Sequence, residues 1–372
     1  MLKTLSRLIS YKLYTPGPLS TTSTVKDSMK NDLCFNKSFN KDINHIRNQL
    51  LKISNLPTEE YTSLLLPGSG TFGVESTLRT AVNQHQKILI AVNGAYGERM
   101  VKICKILKIP TKVINIDERK IINIKDVLYY LDTEVTHFAM VHSETTTGIL
   151  NPIDEISSIL KKARPDIKII GDCVSSFGAV DTDFSNLDFI VTCSNKLLQG
   201  VPGLALIIAK NTTLDRCEGN AKSSVLDLFK ISRTYNHFVV IPPYQSISAL
   251  KKAIEEFWKE GGVKARQARY QKNQRALANG MNELGFKHYI DDGDQGWIIS
   301  TFIEPKHYNY SFEKLYKFLA DRGIIIYPGK LSKLPTFRIG TIGELYKEDM
   351  IECVKCIKEA FEFMRIPLPL NE

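Results

Sequence analysis

Between residues 60 and 208 the chain alternates short β-rich runs with helical patterns, and that alternation restricts the fold more than any other feature. The runs cover residues 61–66, 88–92, 111–116, 137–142, 167–171, 189–193 and 204–208. Amphipathic stretches at 97–108 and 151–164 separate several of them. Strand–helix alternation on this scale predicts an α/β fold, with a mostly parallel sheet covered by helices. A long polar helix follows from about 245 to 259; Gly261 and Gly262 interrupt it, and residues 263–284 resume it. A glycine pair there marks a domain boundary. The expected organisation is a basic arm (1–14), a large domain (15–262) and a smaller C-terminal α+β domain (263–372), with strands near 296–303 and 337–340 and a helix over 347–364. In open α/β sheets ligands sit beyond the carboxyl ends of the strands, so the residues that carry chemistry should follow the strands.

Composition narrows the function classes. Hydrophobic residues make up 43% and charged residues 24%, as in ordinary globular proteins, and no apolar run is long enough for a membrane-spanning helix. The net charge of +9 is spread along the chain and interleaved with acids, as in Lys251-Lys252-Ala253-Ile254-Glu255-Glu256. A nucleic-acid surface would show a cluster or stripe, so no nucleic-acid partner is expected. Seven scattered cysteines fit a reducing, cytoplasmic compartment. Cys353 and Cys356 form a lone C-x-x-C inside a helical pattern, which reads as two helical cysteines rather than a metal site. Residues 1–13 carry Lys3, Arg7 and Lys12 and no acid. A short basic arm and a mitochondrial presequence both fit that segment.

Three strand ends supply chemistry. Gly68, Gly70 and Gly73 in Pro67-Gly68-Ser69-Gly70-Thr71-Phe72-Gly73 match G-x-G-x-x-G between a strand and a helix. Such a turn exposes backbone N–H groups to a phosphate. The acid that a dinucleotide-binding oxidoreductase would need about twenty residues on is absent, because the next strand ends Ala91-Val92-Asn93. What remains is a cradle for a small phosphorylated ligand, with the hydroxyls of Ser69 and Thr71. The run at 167–171 ends in Asp172, and the run at 189–193 leads into Ser194-Asn195-Lys196. A lysine partly desolvated at a strand mouth has a lowered pKa and can act as a nucleophile. A phosphate cradle, a strand-end acid and such a lysine are together what pyridoxal phosphate requires.

The chain also resembles the class V aminotransferases of PLP fold type I, from about Tyr14 to the C-terminus. The likeness rests on Thr15-Pro16-Gly17-Pro18, Gly68-Ser69-Gly70-Thr71, Asn93-Gly94-Ala95-Tyr96-Gly97-Glu98-Arg99 and His142-Ser143-Glu144-Thr145-Thr146-Thr147-Gly148. Asp172-Cys173-Val174-Ser175-Ser176-Phe177-Gly178, Ser194-Asn195-Lys196 and Phe337-Arg338-Ile339-Gly340 complete it. The resemblance implies pyridoxal 5′-phosphate as cofactor, Lys196 as Schiff-base lysine and proton shuttle, and Asp172 as partner of the ring nitrogen. It implies Tyr96 on one ring face, Val174 on the other, and Thr145 at the ring hydroxyl. Ser69, Gly70, Thr71 and Asn195 would hold the phosphate. Arg338 would bind the substrate's anionic group, with Gly17 closing the site. It further implies a homodimer with sites at the interface, 2-aminoethylphosphonate as amine donor and pyruvate as acceptor. An alanine–glyoxylate or serine–pyruvate reaction would use the same cofactor residues. Two stretches depart from the family pattern: Asn36-Lys37-Ser38-Phe39 lacks an acid and an arginine, and Ile241 stands where relatives tend to carry a hydroxyl that reaches a neighbouring subunit's phosphate.

Overall fold

Seven strands build the central sheet: β1 Tyr61–Pro67, β2 Lys87–Val92, β3 Thr111–Asn115, β4 Val135–Val141, β5 Lys168–Asp172, β6 Phe189–Cys193 and β7 Leu204–Lys210. All coincide with the expected β-rich runs to within two residues. The computed structural model describes residues 11–30, 37–234, 238–291, 293–329 and 334–370. Most of the N-terminal basic segment and Asn36 therefore lie outside the described residues.

The strand order is β1-β7-β6-β5-β4-β2-β3, with β7 antiparallel to both neighbours and the other pairings parallel. Side chains of a strand alternate between faces, and the core divides accordingly. Leu65, Phe138, Ile169, Ile190 and Leu206 pack on one face, together with Ile43 and Phe257. Leu64, Ala139, Ile170, Val191 and Ile207 pack on the other, with Val74 and Met100. Both faces are covered, which is why these strands read as nearly continuous apolar runs rather than as alternating ones.

The longer helices are α1 Lys37–Ile53, α2 Gly70–Ala81, α3 Ala95–Leu107, α4 Ile153–Ala163, α5 Tyr244–Glu260, α6 Gly262–Glu283, α7 Phe312–Ala320 and α8 Lys347–Phe363. The expected break between α5 and α6 falls at Gly261 and Gly262, with φ of +113° and +75°. A second, antiparallel sheet has the order β8 (Ile299–Ile303), β10 (Thr336–Gly340), β9 (Tyr327–Pro328). Phe302 and Phe337 of that sheet pack with Leu277 and Met281 of α6, Leu315 of α7, and Ile357 and Phe361 of α8. Cys353 and Cys356 are buried on α8 in this cluster. Lys12–Leu13 pairs in parallel with Ile324–Ile325, and Tyr14 is buried in the same cluster. The chain thus runs from the small sheet directly into Thr15-Pro16-Gly17-Pro18. Among the described residues no helix is long and apolar enough to cross a membrane.

Candidate active site

Neighbouring strands β5 and β6 end side by side and deliver the acid and the amine. Asp172 is the last residue of β5; its main-chain oxygen accepts from His142 N at 2.9 Å and its Oδ1 from Val174 N at 3.1 Å. Beyond β6 the chain makes a tight turn, closed by Gln199 N to Lys196 O and Gly200 N to Ser194 O, both 2.8 Å. Gln199 takes a φ of +58° in it. A Cβ at Gly200 would lie 2.9 Å from Ser194 O, so the turn admits only glycine there. Lys196, half-buried, donates from Nζ to Pro16 O.

One cavity is lined by Ser69, Gly70, Thr71, Tyr96, Asp172, Val174, Asn195 and Lys196, with Val74, Arg99, Val141, Ser143, Ser175 and Cys193. Eight of the eleven residues expected from the sequence therefore meet in one place. Gly17, Thr145 and Arg338 do not line this cavity. Gly17 touches it through Lys196, whose side chain occupies the space a Cβ at position 17 would need. Arg338 is 1% exposed and donates from Nη1 to Thr145 O at 2.7 Å, and from Nε and Nη2 to Pro328 O at 3.1 and 2.9 Å. With five N–H donors in a guanidinium, one N–H on each terminal nitrogen remains. No carboxylate pairs with Arg338 among the described residues.

The electrostatics follow from burial. Desolvation pushes the Asp172 carboxyl up to about 6, although Val174 N–H and the charges of Arg99 and Lys196 oppose this. Burial lowers the affinity of the Lys196 amine for its proton, and Arg338 and Arg99 act in the same direction against Cys193 and Asp172. A neutral amine thus forms at lower pH than for a free lysine.

The cavity wall fits pyridoxal phosphate. The turn Gly68-Ser69-Gly70 follows β1, and α2 starts at Gly70; the N-cap residue Ser69 spends no side-chain hydrogen bond on the helix. A Cβ at Gly70 would sit 2.8 Å from Val174 Cγ2, so glycine is needed for the cradle to meet that wall. Thr145, outside that lining, has a buried Oγ1 without a hydrogen-bond partner.

Two groups escaped sequence reasoning although their residues stood inside the quoted motifs. Glu144 is fully buried; its Oε2 accepts from Tyr96 N at 3.1 Å, and its Oε1 from Thr146 N at 3.2 Å and Thr146 Oγ1 at 2.5 Å. It caps the first turn of α3 in place of Gly94, which has no side chain to do so and whose Cβ would lie 2.4 Å from Glu144 Cγ and Cδ. Burial pushes the Glu144 carboxyl up to about 6. Arg99, on the same helix, donates from Nη1 to Thr71 Oγ1 at 2.9 Å.

A further set grips the lysine turn from α6. Arg266 Nη1 donates to Leu197 O at 2.7 Å, and Arg269 Nη2 and Tyr270 Oη donate to Gln199 Oε1 at 2.8 and 2.6 Å. Arg269 Nη1 also reaches Gly343 O and Leu345 O, while Asn273 Nδ2 reaches Thr341 O and Leu345 O. Both arginines pair with Glu260. One helix face therefore ties the Lys196 turn to the loop that follows Arg338 on β10. The sequence marks this helix only as polar, yet Arg266, Tyr270 and Asn273 are at most 1% exposed; burial is tolerated because their donors reach carbonyls, Gln199 and Glu260.

Comparison with known proteins identifies the family. The class-V aminotransferase family model matches residues 29–347. A 2-aminoethylphosphonate–pyruvate transaminase of Bacteroides fragilis is 42% identical over 94% of this chain and 98% of its own length. One of Lysinibacillus sphaericus is 43% identical over 92% of this chain and 94% of its own length. Among solved structures, ureidoglycine–glyoxylate aminotransferase of Bacillus subtilis superposes with a TM-score of 0.88 at 20% identity, covering 96% of this chain and 94% of that one. Pyridoxamine–pyruvate aminotransferase of Mesorhizobium loti has the same TM-score at 20% identity, covering 97% and 95%. These two speak for the fold only. With a family match over most of its length and relatives above 40% identity across nearly all of it, the chain belongs to the class V aminotransferases.

Proposed function

We propose that this chain transfers the amino group of 2-aminoethylphosphonate to pyruvate, giving phosphonoacetaldehyde and L-alanine, with pyridoxal 5′-phosphate as cofactor. The observation that carries the chemistry is the meeting of Lys196, Asp172 and the Ser69–Thr71 cradle in one cavity. The donor is proposed from the relatives of known name.

Ser69, Gly70, Thr71 and Asn195 would hold the phosphate, Tyr96 and Val174 the ring faces, and Thr145 the ring hydroxyl. When bound, the cofactor supplies a ring that accepts the electrons released at the amine-bearing carbon. Asp172 keeps the ring nitrogen protonated, because a buried carboxylate is stabilised by a cation beside it. Lys196 Nζ, neutral more readily than an ordinary lysine, removes the proton from the amine-bearing carbon of the donor and returns one to C2 of alanine in the second half-reaction. That carbon of 2-aminoethylphosphonate is a CH₂ without a carboxylate, so the phosphonate must orient it. Arg338 retains an N–H on each terminal nitrogen and suits phosphonate in one half-reaction and carboxylate in the other. The proposed assembly is a homodimer; the apolar side chains of Phe72, beside the cradle, and Ile241 are exposed, at 52% and 76%. Light scattering should then give twice the chain mass of 42.1 kDa.

The test is alanine formation from pyruvate with 2-aminoethylphosphonate, serine or no donor, together with glycine formation from alanine and glyoxylate. Turnover with the phosphonate should exceed the others by at least about a hundredfold, the scale of losing one charge-assisted anion contact. Equal or better turnover with serine, or with alanine and glyoxylate, would replace the proposed donor.

A further inference from the structure

Arg99 stands on the cavity wall about one helical turn after Tyr96, half-buried, with its guanidinium carbon 4.8 Å from the Tyr96 ring centre. Its hydrogen bond goes to a neutral oxygen, Thr71 Oγ1. No carboxylate pairs with it among the described residues. Other arginines of the molecule differ: Arg79 on α2 pairs with Glu75 at 2.9 Å, and Arg266 and Arg269 share Glu260. A guanidinium has five donors, so most of the donor capacity of Arg99 is left beside the cradle. The bond also orients its partner. Thr71 Oγ1 accepts from Arg99, which leaves the Thr71 hydroxyl proton available to an acceptor in the cavity that Thr71 lines. Arg99 is close enough to Asp172 for its charge to favour the carboxylate there.

We propose that Arg99 binds the cofactor's phosphate, supplying the fixed positive charge of the cradle and turning Thr71 into a donor toward the same group. This rests on the reading of the cavity as a pyridoxal phosphate site. The ligand chemistry is a phosphate-type dianion, which the phosphonate of the donor would also offer, and the cofactor is the source assigned here.

The test uses full-length protein stripped of cofactor and titrated separately with pyridoxal 5′-phosphate and with pyridoxal, which lacks the phosphate; binding is followed by fluorescence. Arg99→Gln should raise the Kd for pyridoxal phosphate by about ten- to a hundredfold, the range for loss of a charge-assisted hydrogen bond. Its Kd for pyridoxal should stay within about twofold. Arg99→Lys, which keeps the charge, should fall between Arg99→Gln and the unaltered protein, and serves if the Gln variant does not fold. Equal weakening of both ligands would reduce Arg99 to a stacking support for Tyr96 and overturn the proposal. An unchanged Kd for pyridoxal phosphate with a raised KM for 2-aminoethylphosphonate would assign Arg99 to the substrate instead, and also overturn it. Failure of the unaltered protein to bind pyridoxal phosphate would overturn both this assignment and the cofactor reading beneath it.

Discussion

A Cβ added at Gly17 would lie 2.5 Å from Lys196 Cδ and 2.7 Å from its Nζ, at a backbone φ of +117°. Gly17→Ala should therefore displace the lysine as well as strain the chain. The expected outcome is a stability loss of about 1–3 kcal/mol by denaturant unfolding, with a much larger fall in cofactor incorporation, read from visible absorbance. Asp172 gives a pH-dependent counterpart. Its carboxyl is held at about 6 in the fold against an ordinary 3.8, so the folded protein retains a proton that the unfolded chain releases. Stability from this group is full below about 4 and is lost as pH rises through about 6. Raising an acid that far costs about 3 kcal/mol at pH 8. In protein stripped of cofactor, Asp172→Asn should thus raise the melting temperature at pH 8 and change it little at pH 4. Equal effects at both pH values would contradict this. At this scale the sequence was informative wherever a residue followed a strand: Lys196 and Asp172 were legible because sheet topology fixes where strand ends lie. Arg99 and Glu144 were in view without a role, because nothing in their spacing says which loop they meet.

Among the elements, α6 carries the most information that the sequence concealed. Its polar residues at 266, 269, 270 and 273 look like a solvated stripe, and periodicity cannot distinguish solvent from a buried set of carbonyls. The structure uses that stripe to join the Lys196 turn to the loop beyond Arg338. Arg269→Leu should lower stability by about 1–3 kcal/mol, because Gly343 O and Leu345 O lose a buried donor while Glu260 keeps Arg266 as its partner. It should also lower kcat without abolishing cofactor binding, since the cradle belongs to α2 and not to α6. Loss of the visible cofactor absorbance in a folded Arg269→Leu protein would show that the clasp is part of the cofactor site. The pairing of Lys12–Leu13 with Ile324–Ile325 was illegible for a different reason: a two-residue strand has no period to read.

For the whole molecule, the fold class and the seven central strands were legible because a sheet covered on both faces leaves long apolar runs at regular intervals. What sequence spacing could not supply was the meeting of Pro16–Gly17 with the Lys196 side chain, and of the Lys196 turn with the loop after Arg338 on β10. These lie far apart in the chain and meet only through packing and the α6 clasp. The proposed chemistry depends on Lys196 being the amine that reacts with pyridoxal phosphate. Borohydride reduction of the protein with bound cofactor, followed by peptide mass spectrometry, tests this directly. The pyridoxyl phosphate mass should appear on the peptide containing Lys196, and prior incubation with 2-aminoethylphosphonate should diminish it. A label on another lysine, or none on a protein that still converts pyruvate to alanine, would contradict the account.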